Sequence, residues 1–299
     1  MMIRSFDELE KLAKEQPSKR VALAMAQEAD ALIAIVNAAK NNIVEPVLVG
    51  NKKEILKIAE EESLDIGSFP LVEAEGEAES ARKAVELVRS GKADLLMKGK
   101  VATATIMKAA LDKELGLRGE GILSHITIIE SPLYHKLLIM TDAALNIAPG
   151  LEEKIGMVNN AVTLAKKLGV ELPKVAVVGA VEKVNPAMDV TIHAAILSKM
   201  ADRKQIKGCL IDGPFALDNA ISAKSCEVKG ITTQVGGDAD VVVLPDIEAA
   251  NVMYKTVAYL TNMKMAGIIV GAQVPIILTS RSDNEQVKYL SILSGVSLV

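Results

Sequence analysis

Short apolar runs of strand length alternate along this chain with longer stretches of helical period, and that alternation restricts the fold more than any motif does. VALAMA (Val21–Ala26) leads into an Ala-rich helical stretch ending near Lys40, and PVLVG (Pro46–Gly50) leads into KKEILKIAEEE. Ala81, Ala84, Val85 and Val88 fall on one helical face, Gly91 stops that helix, and ADLLM opens the next strand. Such punctuation predicts parallel strands covered by helices on both faces. It resumes in KVAVVG (Lys174–Gly179), KGCLIDG (Lys207–Gly213) and ADVVVLPD (Ala239–Asp246). Between the halves, GILSHITIIESP and KLLIMTDAALNIAPG are separated only by SPLYH. That link is too short for a helical crossover and predicts an antiparallel pair near a domain junction. A chain of 299 residues is about two domains long, and without a Gly/Ser linker the two are expected to pack closely.

Composition narrows the function. The net charge is only -4, with three Phe, four Tyr and no Trp, which argues against a nucleic-acid partner that needs a basic face and stacking platforms. Cys209 and Cys226 stand outside any CxxC spacing and read as reduced thiols of a cytoplasmic protein. The N-terminal MMIRSFDELEKLAKEQ is amphipathic and lacks an apolar signal core. AGIIVGAQVPIIL is interrupted, and is shorter than the roughly 20 residues of a membrane span. A mean hydropathy of +0.28 suggests apolar surface hidden in subunit contacts.

In open α/β sheets, ligands bind beyond the carboxyl ends of the strands. Five predicted strand ends here are followed by polar residues among small ones. They supply Lys98, Gly99 and Lys100; Thr141 and Asp142; Asp212, Gly213 and Pro214; Asp246 and Asn251; and Ser280, Arg281 and Asp283. Taken singly, each reads as a helix cap or turn. Together on one sheet edge they point to a site. In TSRSDN, a strand ending at Thr279 would place Ser280–Asp283 at the start of a helix through EQVKYLSIL. Free N–H groups, the helix dipole and the Arg281 fork would then attract an anion. No GxxxxGK[ST], GxGxxG or GxSxG motif stands in the required context. His125, His135 and His193 lack metal-ligand spacing, so no metal site is expected and each reads as a surface or packing residue.

MKGKVATATIMKAAL, TDAALNIAPG, DGPFALDNAI, VLPDIEAANVMYK and the terminal TSRSDN, in this order, resemble the phosphate acyltransferase family, and within it the butyryl-transferring branch. The resemblance implies reversible acyl transfer between coenzyme A and inorganic phosphate in a ternary complex, with no cofactor, no metal and no covalent acyl-enzyme, and, together with the apolar content, a homo-oligomer, at least a dimer. It implies a fold shared with isocitrate and isopropylmalate dehydrogenases: two parallel-sheet α/β domains with a cleft between them. The C-terminal segment would return to complete the first domain, giving boundaries of 1–120 plus 275–299 and 121–274.

Ser280 and Arg281 match the family's catalytic pair. The carboxylate that acetyl-transferring relatives carry a few residues later falls near Asp283, Glu285 or Gln286. Lys98-Gly99 stands where those relatives have Ser-Gly, and Lys108 roughly where they have Arg. Lys98, Gly99, Lys100, Lys108, Thr141, Asp142, Asp212, Gly213, Pro214, Asp246 and Asn251 are the implied substrate-binding residues. A general base suits the coenzyme A thiol, and cations suit the charge growing on the carbonyl oxygen and phosphate. Competing readings are a phosphate acetyltransferase, a metal- and NAD-dependent dehydrogenase on the related fold, and a non-catalytic acyl-coenzyme A sensor.

Overall fold

The first apolar run forms β1 (Lys19–Ala24), whose last four residues are fully buried at 0% exposure. An unbroken apolar run, rather than an alternating one, suits a strand covered on both faces. α1 (Phe6–Glu15) precedes it; α2 (Ala29–Lys40), β2 (Val44–Gly50), α3 (Lys52–Glu61), β3 (Leu71–Glu73), α4 (Gly76–Arg89), β4 (Leu95–Lys98) and α5 (Thr103–Ala110) follow. This is a computed structural model, and it describes residues 2–299. β1 runs parallel to β2 on one side and β4 on the other, and β2 runs parallel to β3. The chain therefore moves outward from β1 and returns on its other side. That reversal makes the carboxyl ends of β1 and β4 a crevice for ligands.

β5 (Ser124–Glu130) and β6 (Leu138–Thr141) pair antiparallel, as their short link requires. α6 (Leu151–Lys167), β7 (Lys174–Val178), α7 (Asp189–Asp202), β8 (Leu210–Phe215), α8 (Leu217–Ile221), α9 (Ala223–Lys229), β9 (Val241–Val243) and α10 (Ile247–Leu260) come next. These strands lie in the order β5-β6-β9-β7-β8, the last four parallel. β8 does not stop before Asp212, as the sequence reading expects, but runs on through Gly213 and Pro214 to Phe215. Ala176 pairs with Asp212 and Val178 with Phe215, so the extra residue forms an irregularity at Gly213–Pro214. β8 ends the strand order, and an edge strand tolerates a residue without an N–H.

β10 (Lys264–Val270), β11 (Ile276–Ile277) and α11 (Glu285–Val296) end the described chain. β11 pairs antiparallel with β10 and parallel with β4. The chain divides into two compact units: Phe6–Gly121 with Ala266–Val299, and Ile122–Met265 with the segment ending at Ser5. The C-terminal return thus starts at Ala266, not at residue 275, because β10 supplies the partner of β11. Among the described residues no helix is long and apolar enough to cross a membrane.

Candidate active site

β1, β4 and β11 of the first unit are parallel, so their carboxyl ends share one edge. β4 closes on Lys98, 3% exposed, whose Nζ donates to Gly99 O at 3.2 Å. Burial drives its pKa below that of a free lysine; Arg281 and Lys288 push the same way, against Glu28 and Asp283. A buried ammonium with donors to spare is suited to an anion. Gly99 follows because nothing larger fits: a Cβ there would stand 2.4 Å from Met25 O and 2.8 Å from Ala24 O. The N–H groups of Gly99 and Lys100 bond Ala24 O at 2.9 Å and Met25 O at 3.0 Å, joining the ends of β1 and β4. Lys100 and Lys108 are exposed.

β11 ends at Ile277, before Thr279, and Ser280–Asp283 close into a loop. Asp283, 4% exposed, accepts the Ser280 N–H on Oδ2 at 2.6 Å, and its own N–H returns to Ser280 O at 3.2 Å. The hydroxyl oxygens of Ser280 and Ser282 are 3.0 Å apart. α11 begins only at Glu285, which is exposed, and Asn284 caps it by accepting the Val287 N–H at 3.0 Å. The expectation that Ser280–Asp283 offer free helix N–H groups is therefore corrected. Asn284 takes the cap, and the cations near the loop are the side chains of Lys98, Arg281 and Lys288.

Arg281 is 60% exposed and holds Nη2 3.6 Å from Glu77 Oε1. Glu77, in the first turn of α4, accepts the Ala102 N–H at 3.0 Å and the Thr105 hydroxyl at 3.2 Å. The Ala102 bond above all keeps its carboxyl below the usual glutamate range, against the opposing effect of burial. Lys98, Arg281 and Asp283, with Ser280 bonded to Asp283, are thus gathered around three residues that sequence reasoning missed: Glu28, Glu77 and Lys288. Glu28 stands at the end of the link from β1 to α2, and Glu77 follows β3, a strand too short to show in the apolar pattern.

In the second unit, Thr141 donates its hydroxyl to His125 O at 3.0 Å. Asp142, 2% exposed, accepts the N–H groups of His125, Ala144 and Leu145 at 2.9, 2.9 and 3.0 Å and the Asn146 amide at 2.6 Å. Those donors make it the anchor of the turn after β6. Asp246 caps α10 through the Ala249 N–H at 2.9 Å, and Asn251 donates to Ala143 O at 3.0 Å. Asp212 lies inside β8, its carboxylate accepting the Thr233 hydroxyl at 2.5 Å and the Gly213 N–H at 2.8 Å. His125 is buried, His135 pairs with Asp238 at 2.8 Å, and His193 Nδ1 stands 3.3 Å from the buried Lys154.

Residues 77–293, a span that starts at Glu77 and includes Lys98 and the Ser280–Asp283 loop, match the family described as "Phosphate acetyl/butaryl transferase". The chain belongs to this family. It is 47% identical over 291 residues to the phosphate butyryltransferase of Clostridium beijerinckii, covering 97% of this chain and 96% of that one. The phosphate acetyltransferase of Thermotoga maritima is 44% identical over 291 residues, or 96% of this chain and 99% of that one. The crystal structure of a branched-chain phosphotransacylase from Enterococcus faecalis V583 matches with a TM-score of 0.83 at 32% identity, covering 94% of this chain and 98% of that one. As a member of the phosphate acetyl/butyryl transferase family, the chain is an acyltransferase.

Proposed function

We propose that the chain is a phosphate butyryltransferase, converting butanoyl-coenzyme A and phosphate to butanoyl phosphate and free coenzyme A. The observation that carries this reading is the 47% identity, across 97% of the chain, with a protein of that activity. In the proposed reaction, phosphate is held by Lys98 and Arg281 and attacks the thioester carbonyl carbon. A C–O bond forms, the carbonyl oxygen takes up charge, and collapse breaks the C–S bond. Coenzyme A departs as a thiolate and then takes up a proton. The Ser280 hydroxyl and the two cations oppose the charge developed on the way. In reverse, a carboxylate accepts the thiol proton, and Asp283 and Glu285 are the candidates. A groove of about 380 Å³ between α4 and α5 carries Arg82, Arg89, Lys108 and Thr105 alongside Glu86 and Asp112, and its cations are the proposed contacts for the phosphate-bearing half of coenzyme A. It shares Thr105 with the Glu77 carboxylate.

The test is phosphate-dependent thiol release from acetyl-, propionyl-, butyryl- and longer acyl-coenzyme A, with and without chelator. Butyryl-coenzyme A is expected to give the highest kcat/KM. A preference for acetyl-coenzyme A would favour the second reading, phosphate acetyltransferase, which the Thermotoga maritima relative supports. Release that needs a divalent metal, or no release, would reject both.

A pH dependence follows from Lys98. Its lowered pKa means that the ammonium is lost at a pH below the 10.5 of a free lysine, so phosphate capture weakens as pH rises through that lower value. In the acyl phosphate-forming direction, kcat/KM for phosphate is expected to fall on the alkaline side. Lys98→Arg should displace that limb upward; an unchanged limb would show that another group titrates. We also infer that the chain self-associates, a reading supported by Leu133 and Leu260, 90% and 80% exposed. Sedimentation as a single 31.7 kDa species at micromolar concentration would refute that.

A further inference from the structure

Lys288 is 1% exposed and lies in the first turn of α11. A cation there opposes the positive end of the helix dipole, and burying it removes the hydration of an ammonium. Methionine would fill the same space with neither cost. Two contacts offset them: Nζ donates to Asp283 O and stands 3.1 Å from Glu28 Oε1. Glu28 is out of place too. It occupies the N-cap position of α2 but makes no side-chain capping bond, and its carboxylate goes to Lys288 instead. Two helix starts thus depart from local preference for the sake of one contact, and such departures concentrate at functional sites. The resulting chain of bonds runs from Glu28 at the start of α2 through Lys288 and Asp283 to the Ser280 N–H. It fixes the loop that carries Arg281.

We infer that Lys288 is a positioning residue, which with Glu28 holds the Ser280–Arg281 loop in register with the phosphate bound at Lys98. The inference rests on the acyl-transfer reading above. It is tested by comparing the wild type with Glu28→Gln, Lys288→Arg and the double variant E28Q/K288M, in which neither charge is left buried alone. In the double variant, KM for phosphate is expected to rise and kcat to fall, each about tenfold, while KM for acyl-coenzyme A stays within about twofold of wild type. Lys288→Arg, which keeps the charge, should recover part of the loss. A second readout needs no turnover: inorganic phosphate should raise the melting temperature of the wild type and not that of the double variant.

A purely structural Lys288 would lower the melting temperature but leave KM for phosphate and the phosphate-induced shift as in wild type, and that result overturns the inference. Should the double variant fail to fold, Glu28→Gln decides by the same two readouts. A wild type that is stabilised by phosphate but releases no thiol from any acyl-coenzyme A would reject the acyl-transfer reading instead, with the loop still open to the melting test.

Discussion

Arg281→Ala is expected to lower turnover in acyl phosphate formation by about 10²- to 10³-fold while leaving the fold intact. The side chain is 60% exposed and its contact with Glu77 is long, at 3.6 Å, so its loss should change stability by less than about 0.5 kcal/mol. The effect is expected in catalysis because charge grows on the transferring group only as reaction proceeds, and a donor matched to that charge acts mainly in the transition state. Arg281→Lys keeps the charge and loses the planar fork, so it should be impaired less than alanine. Glu77 sharpens the expectation. It holds the guanidinium from one side, and without Arg281 its carboxylate would face the incoming phosphate uncompensated. Steady-state kinetics with phosphate and acyl-coenzyme A varied separately measures both variants. Near-normal turnover in Arg281→Ala would remove the anion site from this loop.

The largest loss of stability is expected from Lys136→Met in the second unit. The Lys136 side chain is 6% exposed and stands 2.9 Å from Asp238 and 2.7 Å from Asp240, itself 5% exposed. Asp238 also meets Lys174 at 2.6 Å and His135 at 2.8 Å, in a network at the amino ends of β6, β7 and β9. Burial favours the protonated form of Asp238, but hydrogen bonds from Lys174 and Lys136 outweigh it and hold the carboxyl far below the usual range. A carboxyl depressed in this way stabilises the fold above its unfolded pKa of about 3.9 and loses that contribution as pH falls through the native value. Methionine at position 136 leaves Asp240 buried without its cation, which costs about 3 to 5 kcal/mol. The double variant K136M/D240N should recover much of this. Urea unfolding at neutral pH reads both, and kinetics of the folded fraction should match wild type. A loss below about 1 kcal/mol would mean that the network behaves as a solvated one.

The strand alternation, the antiparallel β5–β6 pair and the polar residues after β4, β6 and β9 could be read from the sequence, because apolar period and loop length are local properties. The β11–α11 turn could be read only in part. Ser280, Asp283 and Asn284 are all good capping residues, and only the three-dimensional fit shows that Asn284 caps the helix while Asp283 is turned back onto Ser280. At β8, Asp-Gly-Pro reads as a strand end, whereas the edge position lets the strand absorb all three residues. Glu28, Glu77 and Lys288 each look like ordinary solvated charges in sequence. Lys288 carried one signal: it falls among residues of α11 buried on every side, Leu290 through Val296, where a charge needs a partner.

The first unit is assembled from two distant stretches of chain, and this bears on the order in which it can form during synthesis. Domains tend to fold as they emerge from the ribosome, N-terminal parts first. The stretch from Phe6 to Gly121 emerges early with β4 lacking its β11 neighbour, and the whole second unit must be made before that neighbour arrives. Arg281 and Lys288 come out later still. A nascent or truncated chain ending before Ser280 would therefore carry Lys98 and Glu77 without the loop that pairs with them. On the proposed reading, acyl transfer would wait until the segment that carries Arg281 has been made and β11 has paired with β4.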